Sequence, residues 1–330
     1  MGNLPKVSVV MITYAHEKFI EQAINGILMQ DCDFEVELII ANDCSPDKTD
    51  AIVQNIIATH PRATCIKYTK HEINLGMMPN FVFALKQAKG SYIALCEGDD
   101  YWTDKTKLQK QVYFLENNKD FSISFHNVKI INENEPRSQF LSNLKSQKEV
   151  TTIMDLAIEN FIYTTSCVFR NNLKNTIPAW FNNLPLGDYP LHMLNAQFGK
   201  IKYHQDVMAV YRIHNIGVWG ANSNIINYPQ WIKLIELIRQ EFAPEIQYLL
   251  NMQIIKLIKV LLNDEVLSDQ KKRELYFKVS EIFSSEELVK QNFKLQKKLD
   301  TYQSIKFLFV SIIYELASRI GFKNRNKQIN

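Results

Sequence analysis

The sequence predicts an α/β protein: a mostly parallel, doubly wound sheet with helices on both faces, followed by a C-terminal helical extension. Three observations carry this. Short β-branched and apolar runs alternate with apolar residues spaced three and four apart, the pattern of strand–helix–strand units. The crossovers of such units make neighbouring strands parallel. Each strand pattern also ends in a small polar cluster, as at the carboxyl edge of an open sheet, where ligands bind.

The first strand is residues 7–12, ending in Thr13-Tyr14-Ala15-His16-Glu17. Phe19, Ile20, Ala23, Ile24, Ile27 and Leu28 then mark one face of a helix. A second strand, 36–41, leads into Asn42-Asp43-Cys44-Ser45-Pro46-Asp47, where Ser45 reads as a helix cap with Pro46 in the first turn. A third strand, 64–69, precedes His71-Glu72-Ile73-Asn74-Leu75-Gly76 and a helix over 79–89. The fourth strand runs from Tyr92 to the stretch Glu97-Gly98-Asp99-Asp100-Tyr101-Trp102. Further on, a helix over 154–160, a strand over 165–169 and a helix from near Pro190 are expected.

Composition narrows the class. With 46% hydrophobic and 22% charged residues in 330, the chain is an ordinary globular protein. A net charge of +3 gives no argument for nucleic acid as partner. Five scattered cysteines without a Cys-x-x-Cys pair read as reduced thiols in a cytosol. Residues 1–6 run straight into a strand, so no signal peptide is expected. Neither a Gly-x-Gly-x-x-Gly nor a Walker A motif occurs.

The most informative stretch is the acidic one. Three carboxylates at the end of a buried strand are costly unless a cation compensates them. Mg²⁺ or Mn²⁺ does so with one or two protein carboxylates, leaving positions for phosphate oxygens and water. A solvated acidic turn is the plain alternative for a bare Gly-Asp-Asp, but the four polar clusters at four consecutive strand ends favour one shared site.

Ser8-Val9-Val10-Met11-Ile12-Thr13-Tyr14, Glu37-Leu38-Ile39-Ile40-Ala41-Asn42-Asp43-Cys44-Ser45-Pro46-Asp47-Lys48-Thr49, Asn74-Leu75-Gly76 and Glu97-Gly98-Asp99-Asp100-Tyr101-Trp102 closely resemble the family 2 glycosyltransferases of GT-A fold, in order and in spacing, over about residues 5–220. The resemblance implies an inverting enzyme of the hexosyl- or N-acetylhexosaminyl-transferase class. It would move sugar from a UDP-sugar donor to the hydroxyl of a glycan or lipid-linked saccharide in surface polysaccharide assembly. It places Thr13, Tyr14, Glu17 and Asn74 at the nucleotide, and Asp43 on the uracil N3–H. Asp99 falls near the ribose and Asp100 on the metal, in a Glu-Gly-Asp-Asp variant of the Asp-x-Asp motif. Lys70 and His71 are looser candidates for the donor. Asp188, in Leu186-Gly187-Asp188-Tyr189-Pro190, resembles the family's general base; its other reading is a cap for the helix near Pro190. Tyr211-Arg212-Ile213-His214 resembles a segment reaching diphosphate and metal, with Arg212 on phosphate and His214 as second metal ligand. Trp219 would close over the donor, and His126 reads as structural.

The expected division is a catalytic domain over 1–222 and a helical region over 223–330. In the latter, apolar stripes through Trp231 to Phe242 and Ile246 to Leu262 mark packed helices, against the catalytic domain or a second copy in a homodimer. Residues 270–299 read as a solvated Lys/Glu-rich helical segment. Residues 303–325 form an amphipathic pattern with a basic flank. It suits peripheral contact with the inner face of the cell membrane or, equally by pattern, docking on protein. Two rivals stay open. A sugar nucleotidyltransferase would carry a glycine-rich basic loop after its first strand, which Thr13-Tyr14-Ala15-His16-Glu17 lacks. A non-catalytic nucleotide-sugar binder would not need Asp43, Asp99, Asp100 and Asp188 together. UDP release dependent on donor, metal and acceptor separates the three.

Overall fold

The computed structural model describes residues 7–135, 139–142, 147–173, 176–215, 217 and 223–284. The chain divides into two compact units, Met1–Asn222 and Ser223–Asn330.

The first unit opens with β1 (Val7–Thr13), α1 (Ile20–Leu28), β2 (Val36–Asn42), α2 (Thr49–Thr59), β3 (Ile66–Lys70), α3 (Met77–Gln87) and β4 (Tyr92–Leu95). β1 pairs in parallel with β2 and β4, and β2 with β3. Alternation along β1 sends Val7, Val9 and Met11 into one core with Ile20, Ala23, Ile24 and Ile27 of α1. Each of the Val, Ile and Met side chains contributes about 1.5–3 kcal/mol on burial. Then come β5 (Tyr101–Trp102), α4 (Lys107–Asn117), β6 (Phe121–Asn132), β7 (Gln139–Leu141), β8 (Val150–Thr151), α5 (Ile153–Ile158), β9 (Val168–Arg170), α6 (Asp188–Ala196) and β10 (Lys200–Ile213).

Among the described residues the strands form one sheet, ordered β3-β2-β1-β4-β9-β6-β10-β5, with β7 on β6 and β8 on β10. Its long pairings are parallel, including β6 with β10. The short ones are antiparallel, and β9 is inserted that way between β4 and β6. The strand expected over 165–169 is therefore shorter. Thr164–Ser166 form a 3-10 turn instead, with Ser166 Oγ bonded back to Tyr163 O and Thr165 O taken by Trp102 Nε1 from the distant acidic stretch.

Two other expectations are corrected. Ser45 does not cap α2; its Oγ accepts from Ala15 N, and the helix begins later with Lys48 at its cap position. α6 begins at Asp188 itself, with Pro190 in its first turn. One glycine is imposed by packing: a Cβ on Gly26 of α1 would lie 2.9 Å from the Trp102 backbone, so α1 presses directly on β5.

The second unit contains α7 (Asn224–Ile238), α8 (Pro244–Leu262) and α9 (Asp269–Ser284). Both apolar stripes are buried, with Leu234, Ile235, Ile238, Leu250, Ile254 and Ile258 among the least exposed. Lys278 Nζ of α9 meets Glu236 Oε1 of α7 at 2.6 Å. No described helix is long and apolar enough to cross a membrane. The rest of the Lys/Glu-rich segment beyond Ser284, and the amphipathic pattern over 303–325, lie outside the described residues.

Candidate active site

The carboxyl ends of β3, β2, β1 and β4 share one edge of the sheet. There the loop after β1 is stapled to the loop after β2. Ala15 N donates to Ser45 Oγ, His16 N to Thr49 Oγ1 and Glu17 N to Asp47 Oδ2, all at 2.9–3.0 Å. Lys48 N returns a bond to Glu17 Oε2. Ala15 (φ 58°) and Cys44 (φ 59°) sit in the left-handed region, which L-residues with a Cβ occupy only when neighbours hold them. Asp43 reaches across to the next loop, accepting Leu75 N at 2.7 Å and Gly76 N at 2.9 Å. Asn74 Oδ1 also accepts from Gly76 N. Tyr14 stands 44% exposed at this rim.

The acidic turn after β4 is organised by a different strand. Its continuation, β5, pairs antiparallel with β10, which lays Arg212 and His214 along the turn. Arg212 N donates to Asp100 Oδ1 at 2.9 Å and Arg212 Nη1 to Asp99 O at 2.5 Å. Nη2 bonds Gln22 of α1, and Nε faces Glu133 at 3.3 Å. Tyr101 and Phe19 present their rings to the guanidinium. His214 Nε2 meets Asp99 Oδ2 at 3.0 Å, and His16 Nε2 stands 3.7 Å from the same oxygen. Gly98 is required here, since a Cβ would fall 2.7 Å from Thr13 Oγ1 and 2.9 Å from His16 Nδ1.

Crowded carboxyls in a poorly solvated place do not all ionise. Burial, and then the charges of Asp99 and Asp188, push Glu97 up to about 8. Burial, with Asp99 and Glu97 adding to it, holds Asp100 well above the usual carboxylate range. Burial works on Asp99 in the same direction, but His16 and His214 outweigh it and hold that carboxyl low. Burial also depresses His16 itself.

The donor set suits a particular kind of cation. Asp99 Oδ1, Asp100 Oδ2 and His214 Nδ1 are buried without a hydrogen-bond partner among the described residues. No three His, Cys, Asp or Glu side chains among those residues converge to cage a metal ion. Mg²⁺ and Mn²⁺ need no such cage, since they take one or two carboxylates and fill other positions with water and phosphate oxygens. The residues present fit that demand.

Asp188 is the first residue of α6, whose cap position is held by Gly187. Its Oδ2 accepts from Thr164 Oγ1 at 3.1 Å. Glu97 feels the charges of both Asp99 and Asp188, so the start of α6 lies within electrostatic reach of the acidic turn.

Three expected roles meet a different arrangement. His214 Nε2 bonds Asp99 and not Asp100. The donors of Arg212 are turned to protein groups rather than outward to a phosphate. Asp43 holds the loop at Leu75 and Gly76, although each oxygen keeps a second lone pair. Lys70 pairs with Asp50, His71 Nε2 with Asn80 Oδ1, and His126 Nδ1 with its neighbour's carbonyl. Trp219 lies outside the described residues. The sequence did not single out His16, Gln22, Glu133 or Thr164. His16 stood in a noted cluster; the other three have no local signal and join the site only through strand pairing and the turn before β9.

The comparisons agree with this architecture. The family model described as "Glycosyl transferase family 2" matches residues 8–175, more than half of the chain. An uncharacterized protein of Mycobacterium tuberculosis is 38% identical over 216 residues, 65% of this chain and 61% of that protein. The poly(ribitol-phosphate) beta-N-acetylglucosaminyltransferase TarS of Staphylococcus aureus is 30% identical over 182 residues, 53% of this chain and 29% of TarS. Among solved structures, S. aureus TarS 1–349 in complex with UDP superposes with a TM-score of 0.56 at 18% identity, covering 82% of this chain and 78% of that one. A mannosyltransferase from Pyrobaculum calidifontis in complex with GDP-Man and Mn²⁺ gives a TM-score of 0.58 at 14% identity, covering 97% and 89%. At such identities the structures speak for the fold alone, which is GT-A. The chain spans 61% of the length of the mycobacterial relatives it matches. With its sheet, its strand-end motifs and its family match in agreement, the chain belongs to glycosyl transferase family 2.

Proposed function

We propose that this chain transfers a hexosyl or N-acetylhexosaminyl unit from a UDP-sugar to an acceptor hydroxyl with inversion at the anomeric carbon. The observation that supports it is the acidic turn at the carboxyl edge of the sheet, where Asp99 Oδ1 and Asp100 Oδ2 are buried and unpartnered among the described residues and Glu97 feels the charges of Asp99 and Asp188. Tyr14 lines the uridine side, and Asp43 offers its remaining lone pairs to the uracil N3–H. Asp99, bracketed by His16 and His214, lies toward the ribose. Asp100 and His214 would hold Mn²⁺ or Mg²⁺, which when bound neutralises charge on the departing diphosphate. Asp188 accepts the acceptor hydroxyl's proton as that oxygen bonds to the anomeric carbon and the bond to diphosphate breaks. Arg212 acts from below, holding the Asp99 carbonyl and the Asp100 carboxyl in place.

A glycan or lipid-linked saccharide at the cytosolic face of a membrane is the acceptor class that follows from the family resemblance. The test is nucleoside diphosphate release from a panel of UDP-, GDP- and dTDP-sugars with Mn²⁺. Release from a UDP-sugar that needs metal and accelerates with a saccharide acceptor supports the proposal. Release of pyrophosphate, or nucleotide-sugar binding without turnover across the panel, contradicts it.

A further inference from the structure

Asp188 does not hold its own orientation. It follows the cap residue Gly187 at the start of α6, and the contact that orients its carboxylate comes from the 3-10 turn before β9, where Thr164 Oγ1 donates to Oδ2 at 3.1 Å. Its Oδ1 makes no hydrogen bond among the described residues. The backbone at this point is already fixed. A Cβ on Gly187 would lie 2.6 Å from the Phe81 ring, and the Tyr189 hydroxyl bonds Leu156 O at 3.2 Å. Only the side-chain torsions of Asp188 remain to be set, and a hydroxyl bonded to one carboxylate oxygen sets them.

The turn that carries Thr164 is itself anchored to the acidic side of the site. Trp102 Nε1 donates to Thr165 O at 2.9 Å, Thr165 Oγ1 to Cys96 Sγ at 3.5 Å, and Gln111 Nε2 to Ser166 O at 3.0 Å. The Cys167 thiol donates to Thr164 O at 3.3 Å. Cys96 directly precedes Glu97, and Trp102 lies two residues beyond Asp100. One rigid turn thus touches both ends of the acidic stretch and, through one hydroxyl, the carboxylate across from it.

We infer that Thr164 is a positioning residue: its hydroxyl fixes Asp188 Oδ2 so that Oδ1 faces the acceptor, in a setting referenced to the acidic turn. This rests on Asp188 being the base. A misdirected base costs turnover more than binding, because the proton moves only in the transition state.

The experiment compares Thr164→Val, Thr164→Ser, Asp188→Asn and the Thr164→Val/Asp188→Asn double variant of the full chain, using the donor that turns over in the panel above. Thr164→Val should lower kcat by about 10- to 100-fold with donor KM and UDP affinity unchanged, and Thr164→Ser should restore it. In the Asp188→Asn background Thr164→Val should cost nothing further. A Thr164→Val variant with parental kcat, or one whose loss persists undiminished in the Asp188→Asn background, overturns the positioning role. An Asp188→Asn variant with near-parental turnover instead overturns the base assignment and this inference with it. Independently of turnover, a crystal structure of Thr164→Val should show the Asp188 carboxylate in a different rotamer. A carboxylate left where it is contradicts the inference.

Discussion

The two halves of the strand-end rim are built on opposite principles. On the β1–β2–β3 side, side-chain acceptors are used: Asp43, Asp47, Ser45, Thr49 and Asn42 each bond a backbone N–H of a neighbouring loop or of their own. Around the acidic turn, Asp99 Oδ1, Asp100 Oδ2 and His214 Nδ1, with Thr13 Oγ1 and His16 Nδ1 reaching Gly98 from the end of β1, are buried and unpartnered among the described residues. Buried polar atoms are rarely left so, and several together mark a place completed by something other than the chain. Under the proposed function, one half is a finished frame and the other keeps its valences for what it binds. The contrast teaches that stability and chemistry are separable here by substitution.

Asp100→Ala probes the contrast hardest. Turnover should fall by about 10³-fold or more. The melting temperature should stay within about 3 °C of the parent, since relieving a buried carboxyl with an unpartnered oxygen offsets the loss of its bond from Arg212 N. Kinetics and differential scanning fluorimetry on one preparation check both halves of that statement. Asp43→Ala should give the reverse emphasis. It releases the Leu75 and Gly76 amides, so stability should drop by about 1–2 kcal/mol and UDP affinity by about tenfold, read by urea denaturation and calorimetric titration. Ser45→Ala orphans only the Ala15 amide and should cost about 1 kcal/mol, with a modest rise in donor KM. If Asp43→Ala leaves stability untouched while Asp100→Ala unfolds the protein, the division of labour is wrong.

A buried amine beside the acidic stretch leaves turnover aside and gives a pH signature in stability. Lys107 Nζ bonds Gln111 at 2.8 Å and stands over the Trp102 ring at 4.1 Å. Burial pushes its amine down to about 7. The unfolded chain therefore holds a proton between pH 7 and about 10.5 that the folded chain has shed, and the parent should gain stability as pH rises through that window. Lys107→Met should be at least as stable as the parent at pH 7 and should lose that slope. Denaturation at pH 7 and 9.5 measures the difference.

Much of the frame was legible because burial leaves a periodic trace. β1 to β4 and their helices follow from runs such as Val7-Ser8-Val9-Val10-Met11-Ile12 and from the spacing of Ile20, Ala23, Ile24 and Ile27. Strand direction leaves none in a strand as short as Val168–Arg170, so its antiparallel insertion was not readable. Nor was the length of β10, whose register with β6 shifts at His204/Val207, where exposed polar residues interrupt the pattern. The acidic turn was readable as a motif, but its partners were not. Arg212 comes to Asp100 from 112 positions away through the β5–β10 pairing, and Gln22 and Glu133 then hold Arg212. Ser45 illustrates the opposite error, a strong local capping signal overridden by the amide of a strained Ala15.

The central claim is that the unfinished half of the rim is completed by a divalent cation and a uridine diphosphate together. Calorimetric titration of UDP with and without Mn²⁺, into the parent, Asp100→Ala and Asp188→Asn, tests it without needing an acceptor. Mn²⁺ should tighten UDP binding to the parent and to Asp188→Asn by about tenfold or more, and should do nothing for Asp100→Ala. UDP affinity that ignores Mn²⁺ in the parent, or that still responds to it in Asp100→Ala, would contradict the claim.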